Sequence, residues 1–320
     1  MNGCVSFRGG FFMRSVKVTT SIYEELKSWG CQAKIISGDH IGDLRKEIEG
    51  KYRKGLFDEA FYEEELTGFD FKTADRLTET KSLIIVAAPQ SQVRVTFTWQ
   101  GNSYRCIIPP TYSYETDRKI QSLLERQLKP AGFHVKKAIL PWKLLAVHSG
   151  LARYGKNNIT YVNGMGSYYR LAAFISDFPF PDDSWGKLRI MDPCEQCSAC
   201  MKACPAGAIG PDRFLLHGER CLTFHNERQG EFPLWIKTSW HNCLVGCLYC
   251  QRVCPVNKEY HKIAEEGPAF SEEETAFLLQ GTQEKKISQE TIKKLEQQDM
   301  VEYLGVLGRN LQALISKRKQ

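Results

Sequence analysis

The chain has 320 residues, 42% of them hydrophobic and 25% charged, with a formal net charge of +6. That is the composition of a globular protein with room for about two domains. The longest apolar run, near Leu83–Pro89, is far short of the roughly 20 residues a membrane helix needs. The opening MNGCVSFRGGFFM lacks the apolar core and cleavage site of a signal peptide, so a cytoplasmic, non-membrane, monomeric protein is expected.

Residues 15–80 carry amphipathic helical patterns with short strands, and the first recognisable helix follows Met13, a candidate start. SLIIVAAP (82–89) predicts a buried strand from its β-branched run. VRVTFTWQGNSYRCIIP (93–109) alternates and turns at Gln100-Gly101-Asn102, which predicts a hairpin. TDRKIQSLLERQLKPAG (116–132) has helical spacing and is stopped by Pro130 and Gly132. NNITYVNGMGSYYRLAAFISD (157–177) reads as strand, glycine turn, strand. Residues 271–319 read as two or three helices, with Ser271 as a cap followed by early acids. Helices alternating with strands imply an α/β or α+β domain.

From Arg126 to Ser176 there is no Asp or Glu. The window holds Arg126, Lys129, Lys136, Lys137, Lys143, Arg153, Lys156 and Arg170, and predicts a positive surface that attracts phosphate, on a cofactor or a nucleic acid. A chance run on a solvated face is the alternative.

Twelve cysteines are unusual for such a chain, and most stand in two runs, CEQCSACMKACPAGAI (194–209) and CLVGCLYCQRVCPVNK (243–258). Disulfides need an oxidising compartment, and residues three apart in a tight turn pair poorly. Zinc favours separated C-x2-C pairs. C-x2-C-x2-C-x3-C-P is the bacterial ferredoxin run, whose fourth Cys serves the other cluster. Short loops wrap three thiolates around one compact cubane, and backbone N–H groups offset its charge. The Pro after the fourth Cys sends the chain out of helix toward the second site. The second run is one ligand short locally. Cys243 and Cys221 are both candidates. Crossing places Cys194, Cys197, Cys200 and Cys254 on one [4Fe-4S] cluster. It places Cys204, Cys247 and Cys250 on the other, with Cys221 completing that set and Cys243 spare.

These segments resemble the epoxyqueuosine reductase family, cobalamin-dependent double [4Fe-4S] enzymes of tRNA modification distantly related to reductive dehalogenases. The resemblance lies in GERCLTF, which supports Cys221 as ligand, in GCLYCQRVCPVN (246–257), and in GLARYGKNN (150–158), where Ala152 replaces a Gly. KYRKGLFDEAFY and TKSLIIVAAP resemble the family's first helix–strand pieces, so the likeness covers roughly 15–260. It implies an α+β fold in three parts. Residues 15–184 form an α/β corrinoid-binding-type domain, 185–262 a ferredoxin-like double-cluster domain, and 263–320 a helical tail. It implies Gly150, Tyr154, Gly155, Lys156 and Asn157 as cofactor-binding. The family's acidic proton donor falls on Ala138 or Lys136 here, so that donor is absent from its usual place and the substrate is open.

Other tempting residues have plainer readings. Tyr161, Tyr168 and Tyr169 read as packing residues, and His148 as a helix histidine rather than a cobalt ligand. His225 and His241 lie near cluster ligands. The expected function is an iron–sulfur oxidoreductase. An external low-potential donor would feed two clusters, which pass electrons to cobalamin for reduction of a substrate, epoxyqueuosine in tRNA being the candidate. An electron carrier without substrate chemistry, or an RNA-binding module with structural clusters, are the alternatives.

Overall fold

The structure is a computed structural model, and it describes residues 6–72, 80–112, 114–180, 182–281 and 287–317. Helix α1 (Ser6–Ser28) begins upstream of Met13, so the helix extends further back than its sequence pattern indicated. β1 (Gln32–Ser37), α2 (Ile41–Arg53) and α3 (Glu59–Glu65) follow. Asp58 caps α3, accepting from the Phe61 N–H at 2.9 Å. Residues 73–79 of the helical region expected over 15–80 lie outside the described residues.

β2 (Ser82–Pro89) is the expected buried strand. β3 (Gln92–Trp99) and β4 (Asn102–Ile108) form the expected hairpin. Its two turn residues, Gln100 and Gly101, have φ of 52° and 71°. Both are left-handed, the twist that joins two strands without splaying them, and Gly101 adopts it at no steric cost. α4 (Glu115–Leu128) ends just before Pro130, as the sequence indicated. Then come β5 (Val135–Lys137), α5 (Trp142–His148), β6 (Arg153–Tyr154), β7 (Thr160–Tyr161) and β8 (Tyr169–Ser176).

β1, β2, β8 and β5 pair in that order, every neighbour antiparallel. Side chains on β2 alternate between two cores. Leu83, Ile85 and Ala87 join α2 and α5 on one face. Ile84, Val86 and Ala88 join α1 and α4 on the other. β8 divides likewise, with Leu171, Ala173 and Ile175 opposite Ala172 and Phe174. A central strand covered on both faces needs an unbroken apolar run, and each large aliphatic side chain so buried contributes about 1.5–3 kcal/mol. Helices on both faces of an antiparallel sheet make this part α+β.

The cysteine region has three short helices, α6 (Ala199–Ala203), α7 (Leu222–Glu227) and α8 (Tyr249–Arg252). The chain after it differs from the helical tail expected over 263–320. It opens with a strand, β9 (Ala264–Phe270), parallel to β3. Only then come α9 (Glu272–Leu279), α10 (Gln289–Glu296) and α11 (Leu304–Lys317). Ser271 caps α9 in a reciprocal capping box with Glu274. Phe97 of β3 stacks on Phe270 of β9 at 4.6 Å. The hairpin, β9 and the three helices share one core with Leu244 and Val245 from the cysteine region. The tail is therefore built into the protein through the hairpin, because β3 has an edge and an apolar face that β9 and α9 cover.

Candidate functional site

Two similar turns build the site. α6 carries Cys200 and α8 carries Cys250, each the third cysteine of its run, and the two helices pack on one another. Each run ends with a cysteine in extended backbone before a proline, Cys204 at φ −74° and ψ 107°, and Cys254 at φ −71° and ψ 123°. Proline's ring forbids helix to the residue before it, so both thiols swing away from their own turn.

The thiols then fall into two groups by which of them feel one another's charge. Cys194 and Cys200 feel each other or Cys197, and both feel Cys254. Cys221 feels Cys204, Cys247 feels both of these, and Cys250 feels all three. The groups are thus Cys194, Cys197, Cys200 and Cys254, and Cys204, Cys221, Cys247 and Cys250. Cys243 feels Cys247 but is fully buried. Its thiol bonds to the Asn242 side chain at 3.1 Å, and burial pushes its pKa far up. Cys4 lies outside the described residues. No disulfide joins the described cysteines.

Polar hydrogens converge on these sulfurs. The Ala208 N–H reaches Cys204 Sγ at 3.4 Å, and the Asn242 amide reaches Cys247 Sγ at 3.2 Å. Backbone N–H groups of Lys156, Met201 and Tyr249 meet Cys194, Cys200 and Cys247, while Thr223 and Phe224 meet Cys221. Burial pushes the Cys247 thiol up to about 11 despite its two donors. A bound metal would hold such a thiol deprotonated. A single tetrahedral ion needs donors about 2.3 Å from one point. Among the described residues no group of three or more His, Cys, Asp or Glu is gathered so tightly.

The glycine motif sits against both groups. Lys156 Nζ donates to the carbonyls of Glu195 and Cys197 at 2.9 and 3.3 Å, pinning the first cysteine turn. Asn157, only 3% exposed, donates to the Tyr161 hydroxyl at 2.9 Å. Tyr161 in turn bonds Cys254, and the Asn157 side chain also bonds Cys250. Gly155 leaves room for Asn157 and Tyr161, either of which a Cβ would strike. Tyr154 is buried in the core with its ring edge on Phe214, and burial raises its pKa. Gly150 turns the chain out of α5. The resemblance offers these five residues as cofactor-binding, and the structure turns the side chains of Lys156 and Asn157 to the cysteines and that of Tyr154 inward. Tyr161, expected to be a packing residue, is bonded to a thiol.

Of the bases in the acid-free window, four meet acids from outside it. Arg126 pairs with Glu25, Arg153 with Asp192, and Lys137 and Arg170 with Asp117. Absence of acids in a stretch of sequence therefore overstates the positive field of the surface. Lys129, Lys136 and Lys143 remain exposed. His148 is a satisfied helix histidine, bonded to Glu47 at 2.8 Å and to the Gly186 carbonyl at 2.6 Å. His225 bonds the Glu219 carbonyl at 2.8 Å, and burial pushes the His241 imidazole down to about 4. Tyr169 bonds Thr160 at 2.7 Å, whereas the buried Tyr168 hydroxyl has no hydrogen-bond partner among the described residues. Ala138 is buried and Lys136 exposed, and neither supplies an acid.

Residues 193–257 match the 4Fe-4S double cluster binding domain family. An epoxyqueuosine reductase from Leadbetterella byssophila is 34% identical over 152 residues, 46% of this chain and 48% of that protein. The match therefore spans about half the length of that relative. The structure of epoxyqueuosine reductase from Streptococcus thermophilus superposes with a TM-score of 0.67 at 18% identity, covering 95% of this chain and 82% of that one. An epoxyqueuosine reductase solved with an epoxyqueuosine-modified tRNA stem loop superposes at 0.65 with 21% identity over the same shares. The described residues contain no helix long and apolar enough to cross a membrane. Residues 193–257 are thus similar to the 4Fe-4S double-cluster proteins, and in fold, and in sequence over just under half its length, the chain is similar to the epoxyqueuosine reductases.

Proposed function

We propose that this protein is a reductase of the epoxyqueuosine reductase type, in which two [4Fe-4S] clusters deliver electrons to a substrate, an epoxide-bearing nucleoside of tRNA. The observation that carries the reading is the division of eight thiols into two groups of four that cross between the runs. Cys194, Cys197, Cys200 and Cys254 hold one cluster, and Cys204, Cys221, Cys247 and Cys250 hold the other. The donor set fits, being soft thiolates ringed by N–H groups that offset cluster charge. When bound, the clusters supply one-electron transfer at low potential. The chain's own part is to fix their separation through Lys156, Asn157 and the α6–α8 contact.

Loss of an epoxide oxygen as water, leaving a double bond, consumes two electrons and two protons. The electrons come from an external one-electron reductant of low potential. Exposed Lys129 and Lys136 offer contacts to the tRNA phosphates. A cytoplasmic setting accords with cysteines held as thiolates. Cobalamin belongs to the same reading through the resemblance alone. Gly150, Tyr154, Gly155, Lys156 and Asn157 remain the residues that the resemblance offers for holding it.

The test is anaerobic reconstitution of the full chain. Iron and sulfide at about eight each per chain are expected for two clusters, with a paramagnetic signal after dithionite. Conversion of epoxyqueuosine in tRNA is then followed by the loss of one oxygen in the nucleoside mass. Full clusters with no conversion would leave an electron carrier in place of a reductase. Uptake of added cobalamin, read by absorbance after gel filtration, decides the corrinoid.

A further inference from the structure

Beside the second thiol group lies a carboxyl that the sequence did not single out. Glu227 is the last residue of α7, the helix that begins just after Cys221. Its carboxylate accepts a hydrogen bond from the Tyr112 hydroxyl. That hydroxyl lies over Gly246, where a Cβ would come within 2.3 Å of it. Only glycine allows this approach, and Gly246 directly precedes Cys247. Lys143 of α5 extends to the same place, and its ammonium feels Cys221, Glu227 and Cys250. Lys143 is walled by these groups and yet solvent-exposed, the position of a side chain at the floor of a cleft rather than in a core. The other charged or titratable groups facing Glu227 are Glu65 of α3 and Glu302 and Tyr303 of the turn before α11.

We propose that Glu227 is the acid that donates a proton to the substrate during reduction, from a cleft open to solvent on one side and bordered by Cys221 and Cys250 on the other. This rests on the reductase reading above. The acid expected from the resemblance is missing at Ala138 and Lys136, whereas Glu227 stands where thiols and solvent meet. Its proton goes to the departing oxygen as the substrate takes up two electrons through the clusters from the external reductant. Water supplies the second proton and restores the Glu227 carboxyl. The environment suits the task. Burial raises the carboxyl to about 7, opposed by the Tyr112 hydrogen bond and Lys143 and helped by Glu65 and Glu302. An acid poised there is half protonated at neutral pH and regains its proton readily. Burial and the Glu227 charge push Tyr112 well above its ordinary value, so it stays a donor.

The test compares the full reconstituted chain with Glu227→Gln and Tyr112→Phe, using dithionite and epoxyqueuosine-bearing tRNA. The wild-type rate should fall as pH rises through about 7. Glu227→Gln should be slower by on the order of 10²-fold or more, without that limb, and with full iron content. Tyr112→Phe removes a bond that favours the carboxylate, so its limb should move to higher pH. Infrared difference titration gives a readout without substrate, a protonated carboxyl band lost near pH 7 in the wild type and missing in Glu227→Gln. Wild-type rate and pH limb in Glu227→Gln, or a carboxyl that titrates in the ordinary range, overturn the proposal alone. Full clusters with no tRNA conversion by the wild type overturn the reductase reading and the proton's destination together.

Discussion

The Asn157 amide and the Tyr161 hydroxyl are bonded at 2.9 Å, and each also reaches a thiol of a different group. Cys254 and Cys250 are thus linked by three hydrogen bonds running through Tyr161 and the buried Asn157 amide. Hydrogen bonds to cluster sulfurs favour the more negative, reduced state and raise its potential. Asn157→Ala should lower both potentials, and Tyr161→Phe only that of the group containing Cys254. A charge-assisted bond of about 1.5–3 kcal/mol, only part of which differs between redox states, corresponds to roughly 20–60 mV for one electron. Electron paramagnetic resonance during a redox titration measures this. Equal shifts of both clusters in Tyr161→Phe would contradict the assignment of its bond.

Cys243 and Cys221 separate by substitution. Cys243→Ser should keep about eight irons per chain, while Cys221→Ala should fall to about four. The buried Cys243 thiol, raised by its apolar surroundings, should also resist alkylation until the protein unfolds. Iron analysis and mass spectrometry after brief iodoacetamide treatment check both points.

Asp117 anchors α4 to the sheet. It is 2% exposed and receives Arg170 in a two-point pair at 2.9 and 2.8 Å, with Lys137 at 2.6 Å. Tyr114 and Trp142 stack against the same two cations. Asp117→Ala leaves a buried guanidinium without its counter-charge, which costs about 3–5 kcal/mol. Urea denaturation should show that loss. A drop below about 1 kcal/mol would mean that water or Thr111 compensates.

His148 and Glu47 give stability a pH window. Burial alone would lower the His148 imidazole, but the Glu47 bond and the Gly186 carbonyl win, leaving it above 6.5. Burial would raise Glu47, but His148 and Lys51 bring it below 4.5. The histidine's contribution is full below 6.5 and is lost as pH rises through its raised folded value. The glutamate's is full above 4.5 and is lost as pH falls through its lowered folded value. Glu47→Gln should cost about 1 kcal/mol between these limits and flatten the alkaline slope in denaturant titrations at stepped pH.

Much of the protein was legible in the chain. The strand 82–89, the hairpin turn at Gln100-Gly101 and the cap at Ser271 are local matters of apolar period, left-handed backbone and side-chain oxygens, and each stands where its residues put it. The cysteine runs announced two clusters because ligand spacing within a short loop is itself a local geometry. The crossing of the thiol groups accords with the prolines after Cys204 and Cys254, each of which holds the cysteine before it in extended backbone. Only the tertiary structure decided the rest. The acid-free window lost its charge to Glu25, Asp117 and Asp192, and the tail became a strand because β3 offered it an edge. Asn157, Tyr161, Glu227 and Tyr112 took their roles from neighbours far along the chain. Charge pairing and burial depend on distance in space, and a sequence states only distance along the backbone.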